Sequence, residues 1–245
     1  MSDRIGSTAW DTRAVTTAPL VLLDLDGTLT DSAPGIMASA RAALRALDVP
    51  VPDDATLRTF VGPGIVHSLR RYGVPTDRMD EAVAAYRAEF VATGMWDNAV
   101  FDGIPAALGA LREAGVRLVV ATAKATHLAR PILDHFGLAP YFEGVFGTPG
   151  DDYAFSKAMV VGEALAAADG YDPARTLMVG DREHDVHAAA AHGIPTLGVA
   201  WGYAPPGELE AAGAVGLVGR PDELAEAVLA TLSGASRAAA PTTGT

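Results

Sequence analysis

The stretch "APLVLLDLDGTLTDSAPG" (Ala18–Gly35) decides how this chain is read. Six apolar residues lead to Asp24, Leu25 follows, and Asp26 comes next with Gly27 and Thr28 directly behind it. An apolar run bounded by turn residues predicts a buried strand over Leu20–Leu25. Side chains at i and i+2 of a strand share a face, so this spacing places two carboxylates together at the strand's end. Like charges held that way repel unless a cation lies between them or one of them keeps a proton. The pair therefore asks for a cation and, beyond it, for a second anion.

Outward from that strand, short apolar runs alternate with amphipathic stretches. Further strands are expected at Val116–Ala121, Gly144–Phe146, Thr176–Val179, Thr196–Val199 and Val215–Val218. Helices are expected at Ile104–Ala114, Thr126–Phe136, Lys157–Ala168, Glu183–His192 and Asp222–Leu232. The alternation predicts an α/β fold, a Rossmann-like three-layer core with a parallel sheet between helices. From Pro34 to Asn98 the pattern is helical only, as in "PGIMASARAALRALDV" and "DRMDEAVAAYRAEFVATG". An all-helical insert placed after the first strand lies over the crevice where parallel sheets bind ligands, and it reads as a cap. The expected organisation is a core of residues 19–33 and 99–233, a cap of 34–98, and mobile tails at 1–18 and 234–245.

Composition narrows the function classes. The chain has 245 residues, 49% of them hydrophobic and 20% charged, with no cysteine for disulfides or thiolate-bound metals. Thirty acidic residues against 18 basic ones give a net charge of −12, which argues against a nucleic-acid partner. No apolar run approaches the roughly 20 residues that span a bilayer, and the first twenty residues lack the apolar core of a signal peptide. A cytoplasmic protein without a membrane partner is expected, a monomer or homodimer. An anionic ligand would need a local cationic site.

Three more segments carry candidate chemistry. "VRLVVATAKAT" ends a buried strand at Thr122, with Ala123 and Lys124 behind it. "DDYAFSKAMVV" places Ser156 as a helix N-cap and Lys157 in the first turn, where the helix dipole disfavours a cation unless an anion shares the site. "TLMVGDREHDV" sets Asp181 after a strand-ending glycine and Asp185 four residues on, in the first helical turn. Taken singly, each of these has an ordinary reading as a cap, a turn hydroxyl or a solvated lysine.

Taken in order, Asp24/Asp26, Thr122, Lys157 and Asp181/Asp185 resemble the four motifs of the haloacid dehalogenase-like hydrolase superfamily, over roughly residues 19–232. The helical insert resembles that superfamily's first type of cap. Within it, the chain resembles the phosphoglycolate phosphatase-like and 5′-nucleotidase-like branch. "FVGPG" (Phe60–Gly64), "GDREHDV" and a lysine followed by "AMVV" instead of proline lean toward the nucleotidase-like members. Dehalogenases of the superfamily lack an acid at the position of Asp26.

The resemblance implies a Mg²⁺-dependent phosphomonoester hydrolase with Asp24 as the nucleophile, forming an aspartyl-phosphate. It implies that Asp24, the backbone carbonyl of Asp26, and Asp181 bind the metal, with Asp185 a ligand through water or an acceptor that orients those waters. Asp26 would act as acid and then base, and so should hold a proton near neutral pH. Thr122 and Lys157, with the N–H groups of Gly27 and Ala123, would hold the phosphate oxygens. Small phosphate esters are the implied partners, with nucleoside 5′-monophosphates ahead of phosphoglycolate, and a sugar phosphomutase or a silent binding domain as rivals.

Gly62, His67, Arg70 and Lys124 are candidates for reading the leaving group; Arg70 and Arg71 also fit a solvated helix face. "GPGIVHS" lacks the Gly-Lys-Ser/Thr ending of a P-loop. His184, His187 and His192 fall on one expected helix and, without an H-E-x-x-H pattern, read as surface or supporting groups.

Overall fold

In the computed structural model, which describes residues 18–150, 155–168 and 170–238, the chain opens on β1 (Leu20–Leu23) and β2 (Thr30–Asp31). Four helices follow: α1 (Ala33–Ala46), α2 (Asp54–Arg58), α3 (Ile65–Arg71) and α4 (Met79–Glu89), the last continuing into a π-helical turn at Phe90–Gly94. Next come β3 (Ala99–Val100), α5 (Ile104–Glu113), β4 (Arg117–Ala125), α6 (Thr126–His135) and β5 (Gly144–Thr148). The chain then runs through α7 (Lys157–Ala167), β6 (Thr176–Gly180), α8 (Glu183–Ala190) and β7 (Thr196–Val199). It ends with α9 (Glu208–Ala212), β8 (Gly216–Val218) and α10 (Leu224–Ala238).

Six strands form one parallel sheet in the order β5-β4-β1-β6-β7-β8. The central strand β1 is fully buried, and its alternation sorts the core into two layers. Leu20 and Leu22 pack with Val119, Ala121 and Met178 and with Val160, Val161, Ala188 and Ala189 of α7 and α8. Val21 and Leu23 belong to the cluster that holds Leu108 of α5, Ile132 of α6 and Val228 of α10. Each leucine, isoleucine, valine or methionine among them contributes about 1.5–3 kcal/mol by leaving water. The expected α/β class and three-layer core are what the structure has, with a helical cap inserted after the first strand.

Register then places the site. Leu23 lies opposite both Val120 of β4 and Val179 of β6, and the Asp24 N–H donates to the Val179 carbonyl at 3.0 Å. Residues just beyond those pairs, Asp24, Thr122 and Asp181, emerge side by side at one edge of the sheet.

Several expectations need correction. The first strand stops at Leu23, two residues short, because the chain turns at Gly27 (φ +83°), where the N–H groups of Thr28, Leu29 and Thr30 all donate to the Leu25 carbonyl. In the other direction β4 runs on to Ala125, so Thr122 is a strand residue and not a helix cap, and Lys124, expected behind the strand, lies within it. The antiparallel pair β2–β3, which joins the core to the helical insert, was not foreseen; two residues per strand leave no periodicity to read. Gly234–Ala238, taken for tail, is the end of α10; alanine's helix preference outweighs the low-complexity composition there. The rest of the expected tails, residues 1–17 and 239–245, lies outside the described residues.

The insert packs tightly at its base. A Cβ on Gly35 of α1 would lie 1.8 Å from the Gly94 carbonyl oxygen in the π-helical turn. Gly35→Ala should therefore cost about 1–3 kcal/mol by overpacking. At about 2–4 °C per kcal/mol for a chain this size, the melting temperature should fall by several degrees. An unchanged melting curve by circular dichroism would contradict that contact.

Candidate active site

The acids at the sheet edge converge. Asp24 is 3% exposed, and Asp181 and Asp185 are fully buried. One carboxylate oxygen from each lies within 4.8 Å of the others. Three features let them in. A Cβ on Gly27 would sit 2.3 Å from Asp181 Oδ2, one on Gly180 2.1 Å from Asp185 Cγ, and one on Gly202 2.3 Å from Asp181 Cβ. Gly27 is thus required twice, for its positive φ and for the space its hydrogen leaves.

Each carboxylate is fixed from a different element. Asp181 accepts the Tyr203 N–H at 2.8 Å and the Thr28 hydroxyl at 3.4 Å. Asp185 accepts the Arg182 N–H at 3.1 Å, closing the first turn of α8. Lys157, at the start of α7 behind the Ser156 cap, places its Nζ 2.8 Å from Asp24 Oδ2 and 2.5 Å from Asp185 Oδ1. Asp24 Oδ1 is buried with no hydrogen-bond partner among the described residues.

Burial and crowding set the charge balance. Burial pushes the Asp24 carboxyl up to about 6; Lys157 opposes the rise and Asp185 adds to it. Burial also drives Asp181 well above the usual carboxylate range, helped by Asp185 and Asp24. For Lys157 burial pulls the ammonium down, but Asp185 and Asp24 outweigh it and hold the group above its ordinary value. Among the described residues, one ammonium pairs with two of the three buried carboxylates. Hard oxygen donors, an orphaned Asp24 oxygen and negative charge in excess fit a small divalent cation such as Mg²⁺.

Asp26 does not join this cluster. Because β1 ends before it, its Oδ2 lies instead 3.1 Å from Lys124 Nζ, and that ammonium sits 4.5 Å from the centre of the Phe90 ring in the cap. The Gly27 N–H, expected to meet phosphate, is already donated to the Thr30 carbonyl at 2.8 Å.

A cavity of about 590 Å³ adjoins the cluster. Asp24, Asp26, Thr122, Ala123, Lys124 and Lys157 line its floor from the core. Gly62, His67 and Arg70 contribute from the cap, as do Phe60, Tyr86 and Phe90. His184 and His187 line it too, and burial, then the charge of Arg182, pulls His184 below its ordinary value. Arg71 is exposed and is not among the lining residues. His192 is engaged elsewhere, with Nε2 2.8 Å from the Ala158 carbonyl.

Two groups escaped the sequence reading. Tyr203 gives its N–H to Asp181 and its hydroxyl to Asp31 at 2.7 Å, and that hydroxyl accepts the Ala33 N–H at 3.1 Å, where the cap begins. Arg182, buried to 8% exposure, pairs with Glu208. The one available signal was position, since Tyr203 follows the end of a parallel strand.

The haloacid dehalogenase-like hydrolase family matches residues 21–199. The chain belongs to that family. Its sequence is 50% identical over 184 residues to tyrosine-protein kinase PtkA of Mycobacterium tuberculosis, covering 75% of this chain and 62% of that protein, so it spans less than two thirds of that relative's length. It is 39% identical over 194 residues to a 5′-nucleotidase of Pseudomonas aeruginosa, covering 79% and 87% of the two chains. A crystal structure of a predicted phosphatase from Clostridium acetobutylicum superposes with a TM-score of 0.82 at 39% identity, covering 88% of this chain and all of that one.

Millimolar Mg²⁺ should raise the melting temperature, and EDTA should reverse the effect. A cation at about 100 times its Kd adds about 2.7 kcal/mol, or roughly 5–10 °C. Asp181→Asn should abolish the response while leaving the metal-free protein no less stable, because it removes one of three crowded charges. A Mg²⁺ response that survives in that variant would place the cation elsewhere.

Proposed function

We propose that this chain is a Mg²⁺-dependent phosphomonoester hydrolase that works through an aspartyl-phosphate on Asp24, with a bulky ester of the nucleoside 5′-monophosphate class as substrate. The observation that carries the reading is the Asp24 carboxylate. One of its oxygens is held by Lys157, the other has no hydrogen-bond partner among the described residues, and the residue lines the cavity.

In this reading the partnerless oxygen of Asp24 attacks phosphorus, and the P–O bond to the leaving group breaks. Asp26 hands the departing oxygen a proton and then takes one from the water that splits the aspartyl-phosphate, releasing inorganic phosphate. Lys124, 3.1 Å from Asp26 Oδ2, keeps that side chain in place and steadies it as a carboxylate while the aspartyl-phosphate stands. The Thr122 hydroxyl, the Ala123 N–H and Lys157 hold the phosphate oxygens; the Thr122 oxygen is itself braced by the Lys124 N–H at 3.2 Å. Mg²⁺ held by Asp24, Asp181 and Asp185, with the Asp26 carbonyl added by family resemblance, would neutralise the carboxylates and draw charge off the phosphate.

Cavity size favours a large leaving group. Pockets for drug-sized ligands measure about 300–1,000 Å³, and this one, at about 590 Å³, would stay mostly empty around a two-carbon acid. Its aromatic walls, Phe60, Tyr86, Phe90 and Phe155, suit a base or another flat ring. A second reading draws on the 50% identity to PtkA: the phosphoryl group on Asp24 would pass to a tyrosyl hydroxyl instead of water.

Screening phosphorylated metabolites for phosphate release in Mg²⁺, with EDTA as control, tests the proposal. Nucleoside 5′-monophosphates should turn over fastest. Asp24→Asn should cost three orders of magnitude or more, on the order of other nucleophile losses, and Lys157→Ala about 10²–10³-fold. Preference for phosphoglycolate, or isomerisation of a sugar phosphate, would overturn the substrate class. Label passing from γ-labelled ATP to a tyrosine peptide, without matching phosphate release, would favour the second reading.

A further inference from the structure

We propose that Arg182 is a positioning residue that ties the cap's Val61–Gly64 turn to the loop carrying Asp181, and so sets the roof over the leaving group. Its backbone is fixed first: the Arg182 N–H donates to Asp185. Its guanidinium is then gripped on one side by Glu208, with Nε 2.8 Å from Oε1 and Nη2 3.3 Å from Oε2, while the same carboxylate also takes the Glu183 N–H at 3.0 Å. The remaining edge of the fork reaches the cap, where Nη1 donates to the Val61 carbonyl at 2.6 Å.

The contact across to the cap is close and shaped. Gly62 follows Val61 with φ +103°, and a Cβ there would come within 3.0 Å of Arg182 Cγ and Nη1. Gly62, Pro63 and Gly64 line the cavity, and α3, which starts at Ile65, brings His67 and Arg70 to the same wall. Arg182 is not among the lining residues. It touches the turn that shapes the cavity and, through its N–H, the cluster acid Asp185, without lining the space itself.

Other contacts cross between cap and core, such as Arg58 over the Tyr203 ring at 5.1 Å and Arg87 to the Gly150 carbonyl at 3.1 Å. Arg182 spends its three donor directions on two partners at once, one in the core and one in the cap. Lysine, with a single ammonium, cannot hold both the carboxylate fork and the carbonyl. Because Arg182 precedes the cluster's Asp185 by three residues and follows Asp181 directly, the cap turn and the acids share one anchor.

The inference rests on the cavity being the ester site, so two readouts are needed. In Arg182→Lys, and in Glu208→Gln as a second variant, kcat/KM for a nucleoside 5′-monophosphate relative to acetyl phosphate should fall about tenfold, the scale of a modest displacement away from the chemistry. The inhibition constant for inorganic phosphate, which reports the core site, should stay within twofold. Independently of activity, amide hydrogen exchange over residues 57–71 should speed up in both variants while β1 and β6 stay protected. Unchanged exchange in that segment, an unchanged substrate ratio, or a loss of phosphate inhibition in step with activity would each overturn the assignment. If the wild-type chain hydrolyses no ester, the proposed function fails, and the exchange measurement alone decides the role of Arg182.

Discussion

Three buried carboxylates held against one buried ammonium are the constraint on which the rest of this structure depends. Asp24, Asp181 and Asp185 come within 4.8 Å of one another, and Lys157 alone faces two of them. Burying like charges is costly unless a cation and good hydrogen bonds compensate. The surroundings supply the hydrogen bonds, through Thr28, Tyr203 and the Arg182 N–H, and glycines at 27, 180 and 202 supply the room. What they leave unsupplied is positive charge, and a divalent ion is the simplest source.

Parallel register makes the convergence possible. β1 sits between β4 and β6, so Asp24, Thr122 and Asp181 meet at one end of the sheet although 59 to 157 positions separate them. The cap then encloses that end. Asp26, carried out of the cluster by the turn at Gly27, reaches Lys124 beneath Phe90, which puts one acid against the cap and the others against the core. Tyr203 and Arg182 link the two halves from the same loops that present or brace the acids.

Much of this was legible before any fold was known. The apolar runs of the six sheet strands and the helices between them show local periodicity, which hydrophobic burial enforces residue by residue. Lys157 was legible because a cation in a first helical turn is out of place without an anion nearby. The end of β1 was not, since Leu25 continues the apolar pattern while the turn at Gly27 has already bent the backbone. β2 and β3 were too short to show a period, and the helical end of α10 was hidden by its low-complexity composition.

By itself, the sequence determined the α/β class, the helical insertion, which acids stand at strand ends or in a first helical turn, and which lysine opens a helix, because those follow from spacing along the chain. Tertiary structure alone decided that Asp26 pairs with Lys124, that Gly27 makes room for Asp181 instead of offering its N–H to phosphate, and that Arg182 and Tyr203 join cap to core. These are choices of partner between residues distant in sequence. Such choices are settled by distances of about 3 Å in the folded chain, which no local pattern encodes.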